Sequence, residues 1–185
     1  MGRWDPDARG RLTTAAMALY AERGFEPTTV ADIAARAGLT ERTFFRYFSD
    51  KREVLFAGSA KLEALMVNAV ASAPTSAAPI EAVAAGVQAA AGVLRDRRYS
   101  RARQKLIETN AALRERELTK MASLASGFAG ALRKRGVKEP AASLTAEAGT
   151  AVFRIAFERW VGGPGNRQFA CLIREGFAEL RTMVA

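Results

Sequence analysis

The side chains best equipped for chemistry in this chain fall between Thr40 and Lys51. Arg42 offers paired N–H groups that match O6 and N7 of a guanine, and Thr43 brings a hydroxyl and a methyl to a base edge. Phe45 has no hydrogen bond to give, so a thymine methyl or a sugar is its natural contact. Arg46 adds a cation, and Thr40 and Tyr47 carry hydroxyls suited to phosphate oxygens. The Lys51 ammonium, at a helix start, is expected to hold another phosphate, and Thr29 opens a second helix whose first N–H groups face the same backbone. Arg3, near the N-terminus, could reach a minor groove. This is chemistry of duplex recognition, with double-stranded DNA as the expected partner.

Bond-making chemistry is poorly provided for. The chain has no histidine, which removes Ser-His-Asp and Cys-His catalysis and every His-containing metal site. Its one cysteine, Cys171, forms no internal disulfide and no zinc or iron–sulfur cluster; it reads as a small buried apolar residue. Gly162-Gly-Pro-Gly165 lacks the strand and spacing of a phosphate-cradling loop and reads as a turn. No enzyme activity, metal or cofactor is expected. With no apolar run of membrane-spanning length and no signal peptide at Met1–Asp7, a cytoplasmic protein without a membrane partner is expected.

The elements that would position these groups are helical throughout. Asp5, Pro6 and Asp7 form a start signal for a first helix with the inner face Leu12, Ala15, Ala16, Leu19 and Tyr20, ending at Gly24. Thr29 caps a second, with Asp32 three residues on and Val30, Ile33, Ala34 and Ala37 inward. Gly38 breaks it. Thr40 caps a third, very short helix pinned by Phe44 and Phe48 one turn apart, which leaves its polar side free. Two short helices across a glycine turn make a helix-turn-helix, whose second helix enters a major groove. A fourth helix is expected from Lys51 to about Ala71, then helices to Leu94, to Thr109, from Asn110 to Arg135, and over about 141–161 and 166–184. The fold class is all-α with about nine helices: a three-helix N-terminal domain, 1–50, and a helical ligand-binding and dimerisation domain, 51–185.

From Phe25 to Lys51 the chain reads FEPTTVADIAARAGLTERTFFRYFSDK. This resembles, without a gap through about Leu55, the N-terminal signature of the TetR/AcrR family of transcriptional regulators. The resemblance implies a dimeric, all-helical repressor with helices one to three on DNA and a C-terminal core that binds a small-molecule effector. Many members carry tyrosine where this chain has Phe45, so the phosphate contact made there by that tyrosine is not carried over. The segment Arg101–Arg116, with Arg159-Trp160, is similar to the C-terminal domains of mycofactocin-type TetR regulators, some of which answer to acyl-CoA.

Beyond the fourth helix, two apolar sets mark the last helix pair: Leu144, Ala148, Val152 and Ile155, and Phe169, Ile173, Phe177, Leu180 and Val184. Phe153, Phe157 and Trp160 occupy another side. Two such pairs from two subunits would make an isologous four-helix bundle, with Val152, Ile155, Phe169, Ile173, Phe177 and Leu180 at a homodimer interface; alternatively both sets face one internal core. Leu65, Met66, Val87, Leu94, Leu106, Met121, Leu124, Phe128, Phe153, Phe157 and Trp160 are candidate pocket liners, on the strength of the resemblance. The basic stretch of Arg95, Arg97, Arg98, Arg101, Arg103 and Lys105 is either a solvated face or the mouth of an anionic-ligand site.

Charge separates the DNA-binding readings. Net charge is +9, but residues 1–58 hold 9 Lys and Arg against 8 Asp and Glu, and residues 59–185 hold 19 against 11. A nonspecific architectural protein needs a strong local excess on its DNA face, which this head lacks. The function expected is sequence-specific transcriptional regulation, as a repressor released from a palindromic operator by a small molecule. The alternative is an all-helical small-molecule-binding protein or enzyme in which the helix-turn-helix is incidental.

Overall fold

The computed structural model describes residues 7–164 and 167–183. The expected roles of Arg3, Asp5, Pro6, Gly165 and Val184 fall outside them. The described residues form ten α-helices and no strand: α1 (Ala8–Arg23), α2 (Val30–Arg36), α3 (Glu41–Tyr47), α4 (Lys51–Leu55), α5 (Ser59–Ala71), α6 (Pro79–Val93), α7 (Arg97–Thr109), α8 (Ala111–Lys134), α9 (Ala141–Gly162) and α10 (Phe169–Met183). The all-α expectation holds. The expected fourth helix, Lys51 to Ala71, is two helices, because the chain turns at Phe56–Gly58, where Gly58 has φ 89°, a left-handed value that favours glycine. The first helix begins at Ala8, with Asp7 in the cap position in place of the expected Asp5.

The helices pack as two compact units. The first contains residues 1–58 together with 102–116. Its core is aromatic and aliphatic: Leu12, Leu19 and Tyr20 of α1, Ile33 of α2, Phe44 and Phe48 at α3, Val54, Leu55 and Phe56 at α4. Ile107 of α7 and Leu113 of α8 complete it, both essentially without solvent contact. Asn110 caps α8 as expected, its Oδ1 accepting from the Leu113 N–H at 3.1 Å. Its Nδ2 donates to Glu26 at 2.7 Å. Arg116 pairs with Glu53, and Arg103 donates to the Leu55 carbonyl at 2.7 Å while lying 4.9 Å from the Phe56 ring centre. A guanidinium on the last carbonyls of α4 is a favourable C-terminal cap.

The second unit contains residues 59–101 and 117–185. Long helices pack closely on small residues: a Cβ at Gly149 of α9 would stand 2.1 Å from the Val83 Cγ1 of α6, so only glycine permits that approach. Phe153, Phe157, Trp160 and Phe169 form an aromatic cluster with ring centres 5.1 to 6.3 Å apart. Of the expected pocket set, Met66, Val87, Leu124, Phe128, Phe153 and Trp160 are buried in this core, with Leu94, Met121 and Phe157 half-buried against it. Leu65 is exposed and Leu106 packs on the other unit's core, so neither belongs with the set.

Two further expectations are corrected. Val152, Phe169, Ile173 and Phe177, assigned to a subunit interface, are buried inside this unit, and Leu180 packs against them. An apolar stripe shows that a helix face is covered, not by what, and here the subunit covers its own. Only Ile155 of that set is open, 47% exposed, alongside Leu144 at 66%. The basic stretch is not a uniformly solvated face. Arg97 Nη2 and Arg101 Nη2 donate to the Gly163 carbonyl, and Arg101 Nε to the Val161 carbonyl, so both arginines cap the C-terminus of α9. Arg98 and Lys105 are exposed.

Candidate nucleic-acid interface

Each short helix of the head is fixed at its start by its own first side chain. The Thr29 Oγ1 accepts from the Asp32 N–H at 3.1 Å, and the Asp32 carboxylate accepts from the Thr29 N–H at 2.9 Å, a complete capping box. The Thr29 hydroxyl also donates to that carboxylate at 2.7 Å; these hydrogen bonds hold the Asp32 carboxyl below its ordinary value. Thr40 caps α3, accepting from the Thr43 N–H at 3.2 Å. Asp50 caps α4, accepting from the Arg52 and Glu53 N–H groups, and the Arg52 guanidinium on it is the main cause of its lowered pKa.

The turn between α2 and α3 closes on Leu39 N–H to Ala34 O at 2.8 Å and Gly38 N–H to Ala35 O at 2.9 Å, with Gly38 at φ 66°. Arg11 of α1 donates to the Ala37 and Gly38 carbonyls. The turn is therefore held from a second helix, by an arginine that no motif marks in the sequence.

Phe44 and Phe48 anchor α3 as expected: both are buried, with ring centres 5.5 Å apart. The opposite side carries the expected reading groups. Arg42 and Arg46 are exposed, and Thr43 and Tyr47 are half-buried at its edges. Phe45 is 55% exposed and stands edge-on to Phe44, at 5.5 Å and 82°. That contact gives an apolar protrusion a fixed direction. The Thr40 and Thr43 hydroxyls lie 3.1 Å apart. Arg46 lies over the Tyr47 ring at 4.9 Å and donates to its hydroxyl, which keeps its own proton to give.

At two of the expected contacts a donor is already engaged within the head. The Lys51 Nζ donates to the carbonyls of Phe25, Glu26 and Thr28 at 2.9, 2.9 and 3.0 Å, so its ammonium is engaged inside the head. The Thr29 N–H is taken by Asp32. Elsewhere on the head cations are neutralised in place: Arg36 makes a two-pronged pair with Glu22, and Arg23 lies 3.7 Å from Asp32. Among the described residues, Arg42 and Arg46 are the cations that α3 itself presents, and the exposed Arg9 of α1 lies 5.5 Å from the Phe48 ring centre. Among the described residues no His, Cys, Asp or Glu group could hold a metal ion, and no helix is long and apolar enough to cross a membrane.

Comparison with known proteins agrees with this geometry. Residues 12–57 match the family described as bacterial regulatory proteins, tetR family, and residues 77–185 match the MftR C-terminal domain. The HTH-type transcriptional regulator TcmR of Streptomyces glaucescens is 32% identical over 88 residues, 48% of this chain and 39% of that protein. The HTH-type transcriptional repressor KstR2 of Mycobacterium tuberculosis is 43% identical over 47 residues, 25% of this chain and 24% of that protein. The chain thus spans well under half the length of either relative. The solved SmeT–triclosan complex has the same fold, with a TM-score of 0.64 at 19% identity over 96% of this chain and 90% of that one.

Proposed function

This chain belongs to the TetR family of bacterial regulatory proteins, and from that premise we propose that it is a cytoplasmic, homodimeric repressor that leaves a palindromic operator when a small molecule binds. Residues 1–50 supply the DNA contacts, through Arg42, Thr43, Phe45, Arg46, Tyr47 and the Thr40 hydroxyl. The second unit, residues 59–101 and 117–185, supplies effector binding and dimerisation, a boundary that replaces the expected 51–185. The observation that carries the reading is α3, with Phe44 and Phe48 buried and Arg42, Phe45 and Arg46 turned outward. A helix of seven residues reaches only a few base pairs, so a two-fold pair is needed to read a useful site.

For the second copy, Leu144, Ala148, Ala151 and Ile155 form one stripe on α9, two of them exposed and two half-buried. That stripe, meeting its own copy about a two-fold axis, replaces the interface expected from sequence. For the effector, Leu94, Met121 and Phe157, half-buried against the core of the second unit, favour a molecule with an apolar body.

Selection from a random duplex pool tests the reading. The wild-type chain should enrich one inverted repeat. In Arg42→Ala, footprinting and mobility shift should show a loss of about 1–3 kcal/mol confined to one base pair per half-site. Enrichment of no sequence, or an Arg42→Ala variant with unchanged selectivity, would overturn it.

A further inference from the structure

The cation at position 51 stands at the edge of the DNA-reading head, yet its surroundings are those of an internal fastener. We infer that Lys51 is a positioning residue for DNA recognition, acting on the α1–α2 connector, and not a ligand of the phosphate backbone; the inference rests on the DNA-binding function proposed above. An ammonium has three N–H donors, and here three carbonyls of one connector accept them: Phe25, Glu26 and Thr28. The ammonium also lies 4.5 Å from the centre of the Phe25 ring, an attractive face for a cation. A phosphate oxygen approaching it would have to compete with these carbonyls, and losing the ammonium would leave those of Phe25 and Thr28 as partly buried acceptors without their donor.

Lys51 is itself held from the other side. The Tyr20 hydroxyl donates to the Lys51 carbonyl at 2.7 Å, from within the core. The connector is tied internally as well: the Thr28 side chain, fully buried, donates to the Gly24 carbonyl at 2.8 Å. Thr29 follows at once and caps α2. Lys51 therefore fixes the start of α2, and through the α2–α3 turn the direction in which Arg42 and Phe45 point. The compact ammonium suits three converging oxygens. A planar guanidinium does not, although it serves phosphate at least as well.

The experiment compares Lys51→Met and Lys51→Arg with wild type on a duplex selected by the wild-type chain, at 15 °C across a KCl series, alongside amide exchange of the DNA-free proteins. Both variants are expected to keep wild-type helix content by circular dichroism and to bind about tenfold more weakly, as befits lost preorganisation. The slope of log K against log[KCl] should match wild type, and amides 29–33 should exchange faster. A slope shallower by about 0.9 in Lys51→Met, restored by Lys51→Arg, overturns the inference in favour of a phosphate contact. A lowered melting temperature with unaltered affinity at 15 °C overturns it in favour of a merely stabilising lysine. Should Lys51→Met fail to fold, Lys51→Arg decides alone: weaker binding supports the inference and wild-type affinity overturns it. If wild type enriches no duplex, the repressor reading falls, and the exchange arm still decides the clamp, since unchanged protection at 29–33 overturns it.

Discussion

The two compact units reach order by opposite routes. In the head, α2 and α3 have seven residues each and α4 has five, lengths at which an isolated helix does not persist in water. Their geometry comes from side-chain caps, from aromatic anchors and from cations lodged on carbonyls of other segments. In the second unit α8, α9 and α10 have 24, 22 and 15 residues, and order comes from long faces packed on alanine and glycine. The head is thus a set of point fastenings, each able to redirect the reading surface. The second unit is a continuum, in which loss at one point is shared.

That contrast can be broken at its strongest fastening. Phe44→Ala should cost about 3–5 kcal/mol, since it empties the centre of a small core and frees α3. Urea denaturation should show the loss, and DNA binding should go with it. In the second unit, Gly149→Ala drives a methyl into Val83 and should cost about 1–3 kcal/mol by the same measurement. DNA affinity at low temperature should survive that change if the continuum absorbs it. A Gly149→Ala variant as stable as wild type would show that α6 and α9 have slack.

The smallest effect is acid sensitivity of the head. Asp50 and Asp32 have folded pKa values below their ordinary range, Asp50 chiefly through Arg52 and Asp32 chiefly through Thr29. The unfolded chain then binds more protons between the folded and unfolded values, so stability rises with pH across that window. The contribution is present above about pH 4 and is lost as pH falls through the folded values. Denaturation midpoints measured from pH 5 to 2.5 should decline, and Asp50→Asn should flatten the decline. An unchanged slope in Asp50→Asn would remove Asp50 from the list of fastenings.

What could be read in the sequence followed the range of each interaction. The Thr29 and Thr40 caps, the Asn110 cap and the Phe44–Phe48 pair involve partners within four residues, and each stands where spacing placed it. Lys51, Arg97 and Arg101 reach carbonyls between 23 and 66 residues away. A carbonyl is present at every position and leaves no mark in the residue types, so their destinations were illegible. Phe169, Ile173 and Phe177 were legible as buried, but periodicity does not distinguish the same subunit from a second one. The helix break at Gly58 was marked only by one glycine in an otherwise helical run.

Ile107 and Leu113 carry a practical consequence for anyone wishing to transplant the reading head onto another protein. A fragment ending at Gly58 would leave behind two of the plugs that close its interior, and hydrophobic surface would open where they had been. The portable piece is discontinuous: a graft must bring residues 102–116 with it, or supply two apolar residues of similar bulk from the new host.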